Sequence, residues 1–168
     1  GGVRSIERQV NEVVGAVGAA AATGYAVLSE TSENSAWAKL EEAESSSSLK
    51  VRMTSRPLVT LEVSKAARTS ISNVHSHEIS TISDLGFGAS TIISYPDNDE
   101  VASAHTAIII DEISKHSGSY VIERCPLNVK QTRDVFSNVG SSIDLMRRIK
   151  AQYDPANTLN PGRFAGKI

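Results

Sequence analysis

The stretch that decides the fold is Ile79-Ser-Thr-Ile-Ser-Asp-Leu-Gly-Phe-Gly-Ala-Ser-Thr-Ile-Ile-Ser-Tyr95. Its two halves, Ile79–Ser83 and Ala89–Tyr95, are bounded runs of β-forming residues and are predicted to be strands. Gly86-Phe-Gly88 separates them, and glycine is common where a chain bends tightly. We therefore expect two neighbouring strands joined by a tight bend.

The segments on either side of this pair alternate between predicted strands and helices. Leu49, Val51 and Met53 alternate with polar residues, as a half-buried strand requires. Pro57 favours a helix start, and we predict a helix over 58–72, although alternating apolar residues there leave a strand possible. Further predicted elements are a turn at Pro96–Asp99, a helix over Val101–Lys115 that ends at His116–Gly118, and a strand over Tyr120–Arg124.

Two further helices are predicted near the start of the chain. The first carries a helical stripe of apolar residues and is closed by Gly24. The second spans Glu33–Glu44, and Ser45–Ser48 is predicted to be a flexible loop that is too short for a domain linker. No internal repeat is evident. This order of elements predicts an α+β domain with an antiparallel sheet and helices packed on one face.

The C-terminal stretch from Leu145 to Phe164 predicts a helix, a stop and a rigid turn. Ser141 occupies an N-cap position and Asp144 follows three residues later, as in a capping box. The stop falls at Asp154-Pro155, because proline disfavours helical geometry in the preceding residue. In Asn160-Pro-Gly-Arg163, proline limits one dihedral angle and glycine permits positive φ. The predicted helix is amphipathic, with Ile143, Met146, Ile149 and Tyr153 on its apolar face and Arg147, Arg148 and Lys150 on its outer face.

Length and composition narrow the possible function classes. The chain has 168 residues and a net charge of −2, which suits one domain and argues against nucleic acid or an anionic membrane as a partner. No apolar run is long enough to span a bilayer, and no signal-like start is visible, so a cytoplasmic location is expected. The single cysteine, Cys125, is expected to be a buried thiol.

The C-terminal motif Asp-Pro-x-x-x-Leu-Asn-Pro-Gly-Arg, over Asp154–Arg163, resembles the end of the FAD-linked oxidases of the vanillyl-alcohol-oxidase type. Within that superfamily the tail is most similar to the GlcE-type subunit of bacterial glycolate oxidase. Val121–Pro126, Met146–Lys150 and the closing Gly166–Ile168 fit the same likeness. The similarity is clear from about Ser119 to the end and loose before it.

This resemblance implies a ferredoxin-like cap or substrate domain that covers residues 1–168 and lacks the FAD-binding domain. Relatives ordinarily place a strand before the first helix, and its apparent absence here predicts an open sheet edge that invites association. The implied activity is oxidation of a small 2-hydroxy acid such as glycolate, with FAD held mostly by the missing domain. Implied partners are that FAD-binding domain and additional flavin and iron-sulfur subunits.

Asn160, Gly162 and Arg163 are the cofactor-binding residues that the resemblance implies. Asn160 would hydrogen-bond the flavin edge, and Arg163 would hold the turn or an anionic group; the alternative is that the turn only pins the chain terminus. Gly86 and Gly88 could also lie close to a flavin, although a bend between strands is the preferred interpretation. No catalytic residue is assigned.

The histidines suggest a metal site only weakly. His75 and His77 are spaced to share a face of a strand, and imidazoles suit zinc. No third or fourth ligand is evident, because Glu78 would point to the opposite face of a regular strand. His105 separately fits an apolar helix pattern and is expected to be a satisfied packing residue. Many catalytic relatives carry a His-x-His-x-Gly-Asp-Gly-Asn-x-His run, whereas the comparable Asp84–Ser90 contains no histidine. We therefore predict no metal.

Two other classes of function stay open at this point. One is a non-catalytic assembly domain that docks the flavin subunit to its partner subunits. The other is a free-standing module that binds a small molecule, although no convergent set of polar residues marks such a pocket.

Overall fold

The structure is a computed structural model that describes residues 2–19, 26–28, 30–75, 77, 79–84 and 86–168. It contains two compact units, Gly1–Lys39 and Leu40–Ile168, and each is described by itself. Both helices predicted near the start of the chain are present, as α1 (Val3–Ala19) and α2 (Glu30–Ser46). The predicted end at Gly24 lies outside the described residues. No helix among the described residues is long and apolar enough to cross a membrane.

The second unit is built around a four-stranded sheet. The strands are β1 (Leu49–Thr54), β2 (Ile79–Asp84), β3 (Ala89–Ser94) and β4 (Ser119–Arg124). They lie in the order β2-β3-β1-β4, and every neighbouring pair is antiparallel. With α3 (Pro57–Val74) between β1 and β2, and α4 (Asp99–Lys115) between β3 and β4, this is the ferredoxin-like α+β arrangement predicted from the sequence.

The core lies between the sheet and the two long helices, which contact each other and the sheet. Fully buried residues from both layers form it: Val51, Ile92, Val63, Ile71, Ile109 and Ile113. Burying each such side chain contributes about 1.5–3 kcal/mol. All four strands of the ferredoxin-like arrangement lie within the described residues. As expected, no strand precedes α1 among the described residues. The ferredoxin-like unit nevertheless has all four of its strands, because β1 precedes α3 and occupies a central position.

The bend between β2 and β3 is as tight as predicted, since Asp84 pairs with Ala89. Gly88 has φ +64°, and an added Cβ would overlap the carbonyl oxygen of Ser55. The Ser55 amide donates to the Gly88 carbonyl at 2.9 Å. This glycine is thus required by close packing of backbone on backbone within the domain.

Ser45 and Ser46 belong to α2, so the predicted flexible loop at Ser45–Ser48 is wrong there. The guanidinium of Arg124 donates to the carbonyls of Glu44, Ser45 and Ser47. A cation at a helix C-terminus satisfies carbonyls that have no partner within the helix. The serine-rich sequence at 45–48 gave no indication of this contact, because Arg124 lies far along the chain on β4.

The chain after β4 forms two further helices. The short α5 (Leu127–Thr132) was not predicted, and α6 (Ser142–Tyr153) is the predicted C-terminal helix. Between them, residues 135–137 run along the outer edge of β4, where the Ile122 amide donates to the Val135 carbonyl at 2.7 Å. Ser141 is the N-cap residue of α6, as predicted, but it has helical dihedral angles and its side chain makes no capping hydrogen bond among the described residues.

Candidate functional site

The candidate site begins where α6 ends. Asp154 is the C-cap residue, and its amide donates to the Lys150 carbonyl at 2.8 Å. Pro155 follows and cannot continue the helix. The predicted stop at Asp154-Pro155 is therefore confirmed, and the chain turns back towards α6.

The carboxylate of Asp154 organises this return. Its oxygens accept hydrogen bonds from the Thr158 amide at 2.8 Å and the Leu159 amide at 2.9 Å, and Oδ2 lies 2.5 Å from Nζ of Lys150. The ion pair with Lys150, aided by the two amides, holds the pKa of Asp154 well below its usual range. From the sequence, Asp154 was expected only to help stop the helix, and its role in holding the returning chain was not predicted.

The turn at Asn160–Arg163 has the predicted conformation. Gly162 has φ 70°, and Asn160 has φ 47°, a left-handed value that asparagine tolerates better than most residues. The Arg163 amide donates to the Asn160 carbonyl at 3.2 Å and closes the turn. Asn160 and Gly162 thus adopt the positive φ angles of this turn.

The predicted cofactor-binding residues do not all line one cavity. The side chains of Asn160 and Arg163 line a groove of about 730 Å³ beside α6, whereas Gly162 lines an adjacent depression that Arg163 also borders. Neither the Asn160 carboxamide nor the Arg163 guanidinium has a hydrogen-bond or ionic partner among the described residues. Both are therefore available to an external group.

The rest of the groove is largely apolar. Met146, Ile149 and Tyr153 contribute the predicted apolar face of α6, and Tyr153 is 80% exposed. Leu159 and Phe164 line the groove from the returning chain. Lys150 does not belong to the solvated outer face as expected, because its ammonium is bound to Asp154 and donates to the Leu159 carbonyl.

A second polar cluster lies within the ferredoxin-like domain. One ring nitrogen of each of His75, His77 and His105 lies within 4.8 Å of the others. His75 is the C-cap residue of α3, His77 lies just before β2, and His105 is fully buried on α4. The fold thus brings together three of the chain's four histidines.

The predicted satisfied state of His105 is wrong in part. Its Nδ1 lies 2.8 Å from the hydroxyl of Ser94, but its Nε2 is buried and has no partner among the described residues. Burial, with smaller effects from His75 and His77, lowers the pKa of His105 to about 4. The sequence did not indicate that His105 lies close to His77, because the two residues are far apart along the chain. They meet because α4 packs over the sheet.

Cys125 is buried, as predicted. Burial raises the pKa of its thiol, which keeps the sulfur protonated and unreactive at neutral pH. The neighbouring Arg124 is engaged with the end of α2. The described surroundings therefore do not activate this thiol as a nucleophile.

Comparison with known proteins finds one similarity, in the C-terminal segment. Residues 136–164 match the family described as FAD linked oxidases, C-terminal domain. No curated protein and no solved structure matches the chain significantly. The matched residues include α6 and the turn with Asn160, so the predicted likeness to FAD-linked oxidases is confirmed for this segment. The finer likeness to a glycolate oxidase subunit stays a prediction.

Proposed function

We propose that residues 1–168 are the C-terminal cap domain of a cytoplasmic, FAD-dependent oxidoreductase that oxidises a small 2-hydroxy acid such as glycolate. The observation that carries this proposal is the family match over the segment that forms α6 and the Asn160–Arg163 turn. None of the chain resembles the glycine-rich phosphate-binding loop of an FAD domain, so the FAD-binding domain of the same protein would hold most of the cofactor.

The groove beside α6 is the surface that would meet the FAD-binding domain. Its apolar side chains are exposed, and contact with another domain would bury them favourably. Asn160 supplies a carboxamide for the polar edge of the flavin, and Arg163 supplies a bidentate donor for an anionic group. FAD would supply the hydride acceptor, while this domain orients substrate and excludes water.

The first test is a titration of the purified chain with FAD, followed by flavin fluorescence. Saturable quenching that is weakened by Asn160→Ala and Arg163→Ala would support direct contacts. The same two variants should then be measured in the enzyme reconstituted with its FAD-binding domain. If both variants leave the flavin spectrum and 2-hydroxy-acid oxidation unchanged there, the assignment of these residues is wrong.

An assembly role is the alternative that the exposed groove favours. In that case the domain would dock the flavin subunit to a second flavin subunit and an iron-sulfur subunit. The two proposals differ in one measurable respect. An assembly domain would lose subunit association when the groove is altered, whereas Asn160→Ala would leave the flavin spectrum of the complex unchanged.

A further inference from the structure

The histidine cluster contains two buried nitrogens that the fold leaves unsatisfied. Within the part of the chain that the structure describes, His77 Nδ1 and His105 Nε2 have no hydrogen-bond partner. A buried polar group without a hydrogen-bond partner carries the full penalty of its desolvation. The two nitrogens belong to neighbouring rings, whose centroids are 5.3 Å apart. Their position indicates an external ligand that contacts both nitrogens.

The partners of the opposite nitrogens determine which atoms can act as ligands. Nε2 of His77 lies 2.8 Å from a carboxylate oxygen of Asp97. Because an ionised carboxylate only accepts hydrogen bonds, Nε2 carries the proton and Nδ1 of the neutral ring has a lone pair. When Nδ1 of His105 donates to the Ser94 hydroxyl, Nε2 of that ring likewise has its lone pair available.

We propose that His75, His77 and His105 bind one Zn²⁺ ion, with His77 Nδ1 and His105 Nε2 as two of its three ligands. Three imidazoles suit zinc, and a site with three protein ligands leaves the fourth tetrahedral position to water. Hydrogen bonding of the distal nitrogen of His77 to Asp97 is the outer-sphere arrangement typical of zinc-bound histidines.

The observed spacing is compatible with closure around the ion. Zinc–nitrogen bonds of about 2.0–2.1 Å place tetrahedral ligands about 3.3 Å apart. One ring nitrogen of each histidine lies within 4.8 Å of the other two, so inward shifts of about 1 Å complete the site. His75 and His77 lie in the connection between α3 and β2, where side-chain rotation does not disrupt a strand or helix.

This inference goes beyond the proposed flavin function and does not depend on it. It departs from the prediction of no metal, which rested on the apparent lack of a third ligand. The site differs from the histidine run of the catalytic relatives, because its third ligand comes from α4 and not from the bend between β2 and β3.

The test is a calorimetric titration of the chelator-treated chain with Zn²⁺ alone. We expect one ion per chain, and tetrahedral d–d absorption when Co²⁺ replaces Zn²⁺. His75→Ala and His77→Ala should each weaken zinc binding at least about tenfold, and Asp97→Asn by about 10–100-fold. His116→Ala is the matched control and should bind as the unmodified chain does, because His116 is the one histidine outside the cluster.

Folding of each variant is checked by circular dichroism without metal. His75 and His77 are only partly buried, so their alanine variants avoid the risk carried by the fully buried His105. Mg²⁺, which prefers oxygen ligands, should not compete. The proposal is overturned if the chain takes up no stoichiometric Zn²⁺, or if the folded double variant His75→Ala/His77→Ala binds it undiminished.

Discussion

The Asp154 carboxylate and the Lys150 ammonium form an ion pair one helical turn apart, with 2.5 Å between Oδ2 and Nζ. Both side chains are largely covered, at 5% and 22% exposed. Lys150 also donates to the Leu159 carbonyl at 2.5 Å. The pair therefore fixes the end of α6 to the turn that presents Asn160 and Arg163.

Replacing Asp154 by asparagine should loosen this turn. The amide side chain is neutral, so the ion pair is lost and the hydrogen bonds from the Thr158 and Leu159 amides weaken. We expect several-fold faster hydrogen exchange at those two amides. Asp144→Asn is the control, because Asp144 is 78% exposed and its pair with Arg147 should contribute little. Equal effects of both substitutions would contradict the role given to Asp154.

The ionisation of Asp154 predicts a pH dependence. Its pKa is lower in the folded chain than in the unfolded chain, so folding favours the ionised form. This stabilisation is complete above the ordinary aspartate pKa of about 4 and is lost progressively as the pH falls below it. The difference in free energy of unfolding between the unmodified chain and Asp154→Asn should shrink between pH 5 and pH 2, as followed by urea denaturation. A difference that stays constant over this range would show that the carboxylate gains nothing from its partners.

The sequence predicted the fold because its strands have simple local patterns. The strand around Val51 alternates apolar and polar residues, and the strand around Ile92 is a bounded run of β-forming residues. The prediction failed where the determinant was distant in the sequence or the element was short. Ser45 lies in α2, where its carbonyl accepts a hydrogen bond from the distant Arg124, and α5 has only six residues. Local patterns could not indicate either feature.

The candidate sites were predicted unequally for a similar reason. Asn160 and Arg163 belong to one short motif, and the structure places both on the same groove. His105 lies on a different element from His75 and His77, so only the packing of α4 on the sheet reveals their proximity. The anchoring role of Asp154 could have been predicted from the sequence. An aspartate at the end of a helix can accept hydrogen bonds from the backbone amides that follow it, and those amides have no partner within the helix.

The groove beside α6 should be sensitive to charge if it meets the FAD-binding domain. Ile149→Asp places an unpaired carboxylate in a surface that would lose water on docking, which costs several kcal/mol. We expect at least tenfold weaker association of the two domains, measured by calorimetry. Leu58→Asp is the matched control, because Leu58 is 79% exposed on α3 and does not line the groove. If both variants bind equally well, the docking surface lies elsewhere.

Two glycines with similar backbone angles should respond very differently to alanine. Gly88 has φ +64° and its added Cβ would overlap the Ser55 carbonyl oxygen, a backbone atom that cannot rotate away. Gly140 has φ +60°, but apart from its two chain neighbours no described residue has a heavy atom within 4 Å of its added Cβ. Gly140→Ala should therefore cost only the left-handed backbone penalty of about 1–2 kcal/mol.

Gly88→Ala should cost more than about 3 kcal/mol, because the bend must open. That opening would also break the hydrogen bonds that the Gly88 carbonyl accepts from Ser55 and Thr60. Urea denaturation of both variants measures the difference directly. Similar costs at the two positions would mean that the β2–β3 bend relaxes easily, and that close backbone contact is not what requires glycine at residue 88.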